Sequence, residues 1–329
     1  MEIKNKDVKV SVIIPAYNAE KYIEDALNSV LKSKYKNIEV IVINDGSTDR
    51  TADILNEYSE KESRLLIINE KNAGVSKARN KGIRRARGNF IFFLDADDTI
   101  NPVAFDKAIE NLNLNNIDIW MFPYNITDEQ LKVIRKVVPY SCEKTITVNE
   151  FKKVVMCSSF MNFCWGKFYR TEFIQNNKLE FKVEMKIGED VDFQLQMMKQ
   201  KPHMFYADLT IVNYRQQKNS VMHRFDESYF YNLEENYKTK KRLAEEINAK
   251  KQDYDIMYKE LGVILLSYLR KMCRNKNNTY EIEKIMNSEI MKEIVSNMSL
   301  DNLRIGQKVC AKLLKLKRYK ALLVLLKIS

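Results

Sequence analysis

The sequence predicts an open α/β domain, a parallel sheet with helices on both faces, followed by a purely helical region. Three observations carry that reading. Apolar runs of strand character alternate with amphipathic segments through the first part of the chain. One such run, Ile91-Phe92-Phe93-Leu94, stops abruptly at Asp95, Asp97 and Asp98. Beyond about Asp226 strand patterns vanish and only helical periodicity remains.

Each element follows from its residues. Lys9–Ile14 reads as a strand ending at Pro15, and Asn18 can cap the next helix, where Ile23, Ala26, Leu27, Val30 and Leu31 recur at helical spacing. Ile38–Ile43 is a second strand. Asp45-Gly46-Ser47-Thr48-Asp49 then supplies a turn and capping residues for a helix to about Lys61. Leu65–Ile68 is a third strand. Asn72-Ala73-Gly74 opens a helix whose inner face, Ala78, Gly82, Ile83 and Ala86, is small enough to pack closely on a sheet. Asn89–Leu94 is the fourth strand. This βαβ order implies parallel pairing. Further on, Ile117–Phe122 and Lys167–Tyr169 read as strands and Leu131–Tyr140 as an irregular hairpin. Leu233–Ala249, Tyr254–Cys273, Ile282–Met298 and Leu303–Leu326 read as helices, so the expected division is residues 1–225 and 226–329.

Composition narrows the class. Hydrophobic residues make up 45% of the 329 residues and charged residues 30%, as in a soluble globular protein rather than a disordered one. The longest apolar runs, Phe90–Leu94, Val263–Leu266 and Ala321–Leu326, are too short to span a bilayer. The apolar stretch after the charged start is broken by Pro15, so no signal peptide is expected. Five scattered cysteines without a C-x-x-C pair suggest neither a disulfide framework nor a zinc site, and a reducing cytoplasm is expected. A net charge of +11 favours anionic partners. Nucleic acid is not expected among them, because no nucleic-acid-binding motif occurs and the sheet edge carries acids where phosphate contacts need bases.

The acids at Asp95–Asp98 are costly at the end of a buried strand unless something positive meets them. In open α/β sheets ligands bind at that edge, and carboxylates there suit Mg²⁺ or Mn²⁺ bridging to a diphosphate. The plain alternative is an acidic turn, with Asp98 capping the helix near Asn101. A second acidic pair, Glu189-Asp190 after Gly188, sits where a helix starts; the dipole alone favours acids there. Neighbours on a helix diverge by about 100°, so the two carboxylates are not expected to reach one atom.

Six segments occur in order: VSVIIPAYNAEKYIEDALNSVL, VINDGSTDRT, NAGVSKARNKGI, FIFFLDADD, WGKFYR and GEDVDF. Together they resemble the inverting nucleotide-sugar transferases of glycosyltransferase family 2, which have the Rossmann-like GT-A fold, over roughly the first 225 residues. The resemblance implies Asp97 as the metal ligand for Mn²⁺ or Mg²⁺, Asp95 on ribose or a metal-bound water, and Asp190 as the catalytic base. It implies nucleotide contacts from Pro15, Ala16, Tyr17 and Asp45, the last accepting a uracil N3–H, and from Arg79 in the A-R-N element. Many family members have Asp-Asp-Gly-Ser where this chain has Asn44-Asp45. Glu189 is expected on an acceptor hydroxyl, and Trp165 either against a sugar ring or in the core. Arg215, Ser220 and His223 suit a flexible cover over the diphosphate, with His223 alternatively a third metal ligand or a plain surface histidine.

The implied protein is a hexosyl- or N-acetylhexosaminyltransferase, using a UDP-sugar and a glycan or lipid-linked acceptor in bacterial cell-surface polysaccharide synthesis. It would act in the cytoplasm, at the inner face of the plasma membrane. A catalytically inactive sugar-nucleotide-binding or scaffold protein of the same fold is the alternative. The tail from Gly306 carries six lysines, one arginine and no acid among its leucines. It reads as a basic amphipathic helix for an anionic membrane, or as a helix docking its leucines into the protein or a sister subunit in a homo-oligomer.

Overall fold

A computed structural model describes residues 8–112, 117–158, 162–185, 188–217, 228–275, 279–301 and 303–328. In chain order the elements are β1 (Val10–Ala16), α1 (Ile23–Leu31), β2 (Ile38–Asp45), α2 (Thr51–Ser59), β3 (Leu65–Glu70), α3 (Val75–Arg85), β4 (Phe90–Phe93), β5 (Thr99–Ile100) and α4 (Pro102–Asn111). There follow β6 (Ile119–Met121), β7 (Tyr124–Thr127), β8 (Val133–Val137), β9 (Lys144–Ile146), α5 (Val148–Cys157), β10 (Lys167–Arg170), α6 (Thr171–Asn176), α7 (Glu189–Lys199), β11 (Met204–Tyr206) and β12 (Val212–Arg215). The rest is helical: α8 (Ser228–Glu246), α9 (Lys251–Asn275), α10 (Thr279–Met286), α11 (Glu289–Asn297), α12 (Ile305–Lys315) and α13 (Tyr319–Ile328).

The chain divides into two compact units. One comprises Met1–Val148 with Asn162–Gln217, the other Asn149–Met161 with Lys218–Ser329. The expected boundary at 225/226 falls outside the described residues, and nearly all of α5 joins the helical unit although it precedes β10 in the chain.

In the first unit an eight-stranded sheet runs β3-β2-β1-β4-β10-β6-β11-β9. The first four strands are parallel, as βαβ order requires. β1 is buried along its whole length, which explains its unbroken apolar run between two neighbours. β4 alternates faces: Phe92 meets Phe105 of α4 and Phe168 of β10, while Phe93 meets Phe181 and Phe193. β10 then enters antiparallel to β4, with Phe168 opposite Phe92 and Arg170 opposite Phe90. That reversal sets the residues just before β10 beside the C-terminal end of β4. A second sheet, β5-β12-β7-β8, continues from the acidic turn. The expected hairpin at Leu131–Tyr140 is a single strand, β8, paired antiparallel to β7 across a bulge at Ile126/Thr127.

In the helical unit, two of the four expected helices are each broken into two. α10 and α11 part at Asn287-Ser288. α12 ends in a Schellman turn, with Lys317 at φ 53° and its N–H on the Leu314 carbonyl, and the Arg318 N–H on the Leu313 carbonyl. No glycine marks this stop, so the pattern Leu303–Leu326 looked continuous.

Candidate active site

Parallel register brings the ends of β1, β2 and β4 to one sheet edge. Ala16 lies opposite Asn44, and Phe93, two residues before Asp95, opposite Ile13. Gly46, at φ 71°, turns the chain after β2; a Cβ there would stand 2.6 Å from the Asn72 backbone nitrogen. Asp45 is buried, and its two oxygens accept the Ala73 and Gly74 N–H groups, each at 2.8 Å. It thus fixes the start of α3, a job the sequence reading did not foresee. Asn18 does not cap α1, whose first residue is Ile23 with no side-chain cap. At φ 48° it instead accepts the Thr48 N–H at 2.8 Å and donates its own N–H to Ser47 Oγ at 3.0 Å, tying the first two edge loops together. Pro15 and Ala16 are buried, whereas Tyr17 is 53% exposed at the rim.

The three acids after β4 have three different environments. Asp95 pairs with Arg79 Nη2 at 3.0 Å. Asp97 accepts an amide hydrogen bond from Gln217 Nε2 at 2.6 Å. Burial, then the neighbouring Asp95 charge, pushes its carboxyl up from 3.8 to about 6. Asp98 is fully buried and accepts the Arg215 N–H at 2.8 Å, while its other oxygen has no hydrogen-bond partner among the described residues. Burial, then Asp97 and Asp95, raises its carboxyl well above the usual range. It is not the cap of α4; Asn101 is, accepting the Ala104 N–H at 3.1 Å.

Arg79 is the centre of the cluster and is 4% exposed. Its Nη1 lies 2.8 Å from Asp190 and 3.4 Å from Glu189. The expectation that adjacent helix residues cannot reach one atom is corrected here: the longer glutamate offsets the angular divergence. Burial, then the adjacent Asp190, raises the Glu189 carboxyl. Asp190 also accepts the Cys164 N–H at 3.3 Å. The Phe163 carbonyl beside it accepts from buried Lys167 and, at 3.1 Å, from Gln194. Burial brings the Lys167 ammonium down to about 8.

Asn80, next to Arg79, holds the Phe181 backbone from both sides: its amide donates to the carbonyl at 2.7 Å and accepts the N–H at 2.8 Å. The A-R-N element therefore clamps the segment leading to α7. Neither Asn80, Lys167 nor Gln194 was among the residues singled out from sequence. The Asn80 signal was its place in A-R-N, whereas Gln194 carried none.

Two expected contact residues sit elsewhere than anticipated. Trp165 is a correction: its ring is 3% exposed, packed with Phe163, Tyr214 and Tyr124 at centroid distances of 4.7, 5.4 and 4.8 Å. It is a core tryptophan, with no open face for a sugar. Arg215 ends β12 and is buried over the Tyr22 ring, with Nη2 on Asp25 at 2.7 Å. Its guanidinium is thus engaged within the fold rather than on a flexible cover. Ser220 and His223 lie outside the described residues.

Among the described residues no group of three His, Cys, Asp or Glu side chains is arranged to hold a metal. A diphosphate-bridging cation does not need one, since Mg²⁺ commonly takes one or two carboxylates and completes its shell with phosphate and water. Asp97 fits that pattern. Unlike Asp95 it has no ion-pair partner among the described residues, and its crowding with Asp95 is what a cation would relieve.

Comparison with known proteins places this geometry. Residues 11–172 match glycosyl transferase family 2. EpsJ of Bacillus subtilis, named as a glycosyltransferase, is 31% identical over 217 residues, 64% of this chain and 62% of EpsJ. GgaB, a minor teichoic acid biosynthesis protein of B. subtilis, is 28% identical over 206 residues, 61% of this chain and 22% of GgaB. The chain thus spans less than two thirds of either relative. The structure of S. aureus TarS 1–349 in complex with UDP-GlcNAc matches with a TM-score of 0.60 and 23% identity, over 97% of this chain and 90% of that one. With a GT-A fold, a helical C-terminal region and the family pattern across β1 to β10, the chain carries a glycosyl transferase family 2 domain over residues 11–172.

Proposed function

We propose that this protein is a metal-dependent inverting transferase, moving a hexosyl or N-acetylhexosaminyl group from a UDP-sugar to a hydroxyl of a glycan or lipid-linked acceptor. The observation that carries this reading is the Arg79 bridge, which joins the acid of the strand edge, Asp95, to the acids of α7, Glu189 and Asp190. Asp97 stands beside that bridge with no ion-pair partner among the described residues. TarS binds UDP-GlcNAc, which supports a uridine donor. The name of GgaB supports a role in cell-surface polymer synthesis, and such a role with a nucleotide-sugar donor supports work in the cytoplasm at the inner face of the membrane. No helix of the described residues is long and apolar enough to cross a membrane.

In this mechanism Asp97 is the residue that would hold the Mn²⁺ or Mg²⁺ of the donor, and Asp95 would contact ribose or a metal-bound water. The cation, when bound, supplies Lewis-acid stabilisation of the departing diphosphate. Pro15, Ala16, Tyr17 and Asp45 border the nucleotide. Asp190 takes the proton from the acceptor hydroxyl as its oxygen bonds to the anomeric carbon and the bond to the UDP oxygen breaks, inverting that centre. Glu189 orients the acceptor. Arg79 keeps Asp190 in place through a charge that does not titrate at working pH.

The test is nucleoside diphosphate or monophosphate release from a panel of UDP-, GDP- and CDP-sugars, with Mn²⁺, with Mg²⁺ and with EDTA, for the native protein and Asp97→Asn. Turnover of at least one donor that disappears with EDTA and in the variant is expected. Turnover indifferent to both would overturn the metal assignment, and release from GDP- or CDP-sugars alone would overturn the donor class.

A further inference from the structure

The basic tail was expected to offer its leucines either to a membrane or to the protein. The structure divides these roles between different residues. Leu314, Leu322 and Leu326 are buried, where α12 and α13 pack on α9. What the two helices leave outward is a second apolar set, Ile305 at 83% exposure, Leu316 at 68%, and the exposed Val309 and Val324.

These residues are placed by helix geometry, not scattered. At about 100° per residue, Ile305, Val309 and Lys312 share an arc of α12 opposite the buried Cys310, Ala311 and Leu314, with Lys308 at its margin. On α13, Lys320 and Val324 likewise lie away from Leu322 and Leu326. Lys308, Lys312 and Lys320 are exposed and form no ion pair with any described residue. The segment 303–328 holds six lysines, two arginines and no Asp or Glu. Uncompensated charge flanking isolated large apolar side chains, on the face away from the bundle, is not what a solvated helix requires.

We propose that the outward faces of α12 and α13 dock on an anionic lipid bilayer. Ile305, Val309, Leu316 and Val324 enter the interface, and the lysines reach headgroup phosphates with their stems lying along the apolar layer. Charge decides the occupant. In a two-fold contact with a second copy the same patch would meet itself, setting lysine against lysine. A nucleic-acid backbone would match the lysines but leave the apolar residues at the middle of the face without a role.

The experiment is sedimentation of the full chain with phosphatidylcholine vesicles, with and without phosphatidylglycerol, at low and high salt. The native protein is expected to pellet only with the anionic vesicles, and less at high salt as screening shortens. A triple variant, Lys308→Gln, Lys312→Gln and Lys320→Gln, is expected to lose on the order of 100-fold in partitioning, about fivefold per charge. Ile305→Ser with Val309→Ser is expected to lose roughly tenfold at either salt. All five positions are exposed, so unchanged circular dichroism checks the fold. Native protein left in the supernatant, or variants that pellet like it, overturns the proposal. So does a fall in light-scattering mass for the serine variant with sedimentation unchanged, which would mark a subunit contact. Salt-sensitive retention on an oligonucleotide that ignores the serine changes, without vesicle binding, overturns it as well.

Discussion

Arg79 Nη1 donates to Asp190 Oδ1 at 2.8 Å, joining the third helix of the sheet domain to the first turn of α7. The same guanidinium reaches Asp95 at 3.0 Å through its other terminal nitrogen. One buried cation thus faces three carboxylates, and it sets the spacing between the edge of β4 and the proposed base. Its planar fork spans the two sides through nitrogens held apart in one plane, whereas a lysine ammonium donates from a single atom.

Arg79→Lys is therefore expected to be far from conservative. It should abolish the bridge while keeping a positive charge, lowering donor turnover by about 100-fold or more through lost positioning. Arg79→Leu leaves three half-buried carboxylates without this cation and should cost about 2–4 kcal/mol of folding stability. Urea unfolding alongside UDP-release kinetics checks both. A lysine variant with native turnover would remove Arg79 from the positioning of Asp190.

Asp190→Asn keeps the shape and a hydrogen-bonding oxygen but removes the proton acceptor. UDP-sugar binding by calorimetry should stay close to native, and transfer should fall by a factor on the order of 10²–10⁴. Loss of donor binding with substantial residual transfer would make Asp190 a binding residue instead.

The sequence was most legible where strands are buried on both faces. β1 and β2 read directly as apolar runs, and the acids at the end of β4 were visible as a break in one. The separate fates of those acids were not. They depend on Arg79, 16 positions before Asp95, and on Arg215, 117 positions after Asp98, and local patterns carry no such pairing. Trp165 failed for a related reason: Phe163 precedes it closely, but Tyr124 and Tyr214 join it only through the second sheet. α5 was missed because VNEFKKVVMC is short and amphipathic, and its surroundings, the helical unit, come later in the chain.

Asp97 makes the cation-free protein less stable as pH rises. Its carboxyl lies at about 6 in the folded chain, against 3.8 for the ordinary group. Between those values the folded state binds the extra proton, so stability falls as pH increases through the window. Asp97→Asn should then be more stable than the native protein by about 3 kcal/mol at pH 7, a difference that nearly disappears by pH 4. Urea denaturation in EDTA at the two pH values measures it. Added Mn²⁺ with UDP should raise the midpoint of the native protein and leave that of the variant unmoved. An equal difference at both pH values would mean that the carboxylate charge is not its source.

Lys240 gives the corresponding prediction for the helical unit. Its side chain is fully buried, and its ammonium donates to the Val155 and Met156 carbonyls at 3.0 and 2.7 Å and to Glu260 at 3.0 Å. The last turn of α5 has free carbonyls by the geometry of any helix end. A cation there both satisfies them and matches the negative end of the dipole. Lys240→Met fills the space but takes this donor from two carbonyls and from Glu260, so a loss of about 3–5 kcal/mol is expected. Lys240→Met combined with Glu260→Leu should recover part of it, because the carboxylate that the lysine offset is removed with it. Chemical denaturation of the single and double variants decides the matter: a single variant within about 1 kcal/mol of native would show that α5 is held by its apolar face, Phe151, Val155 and Met156, rather than by the buried lysine.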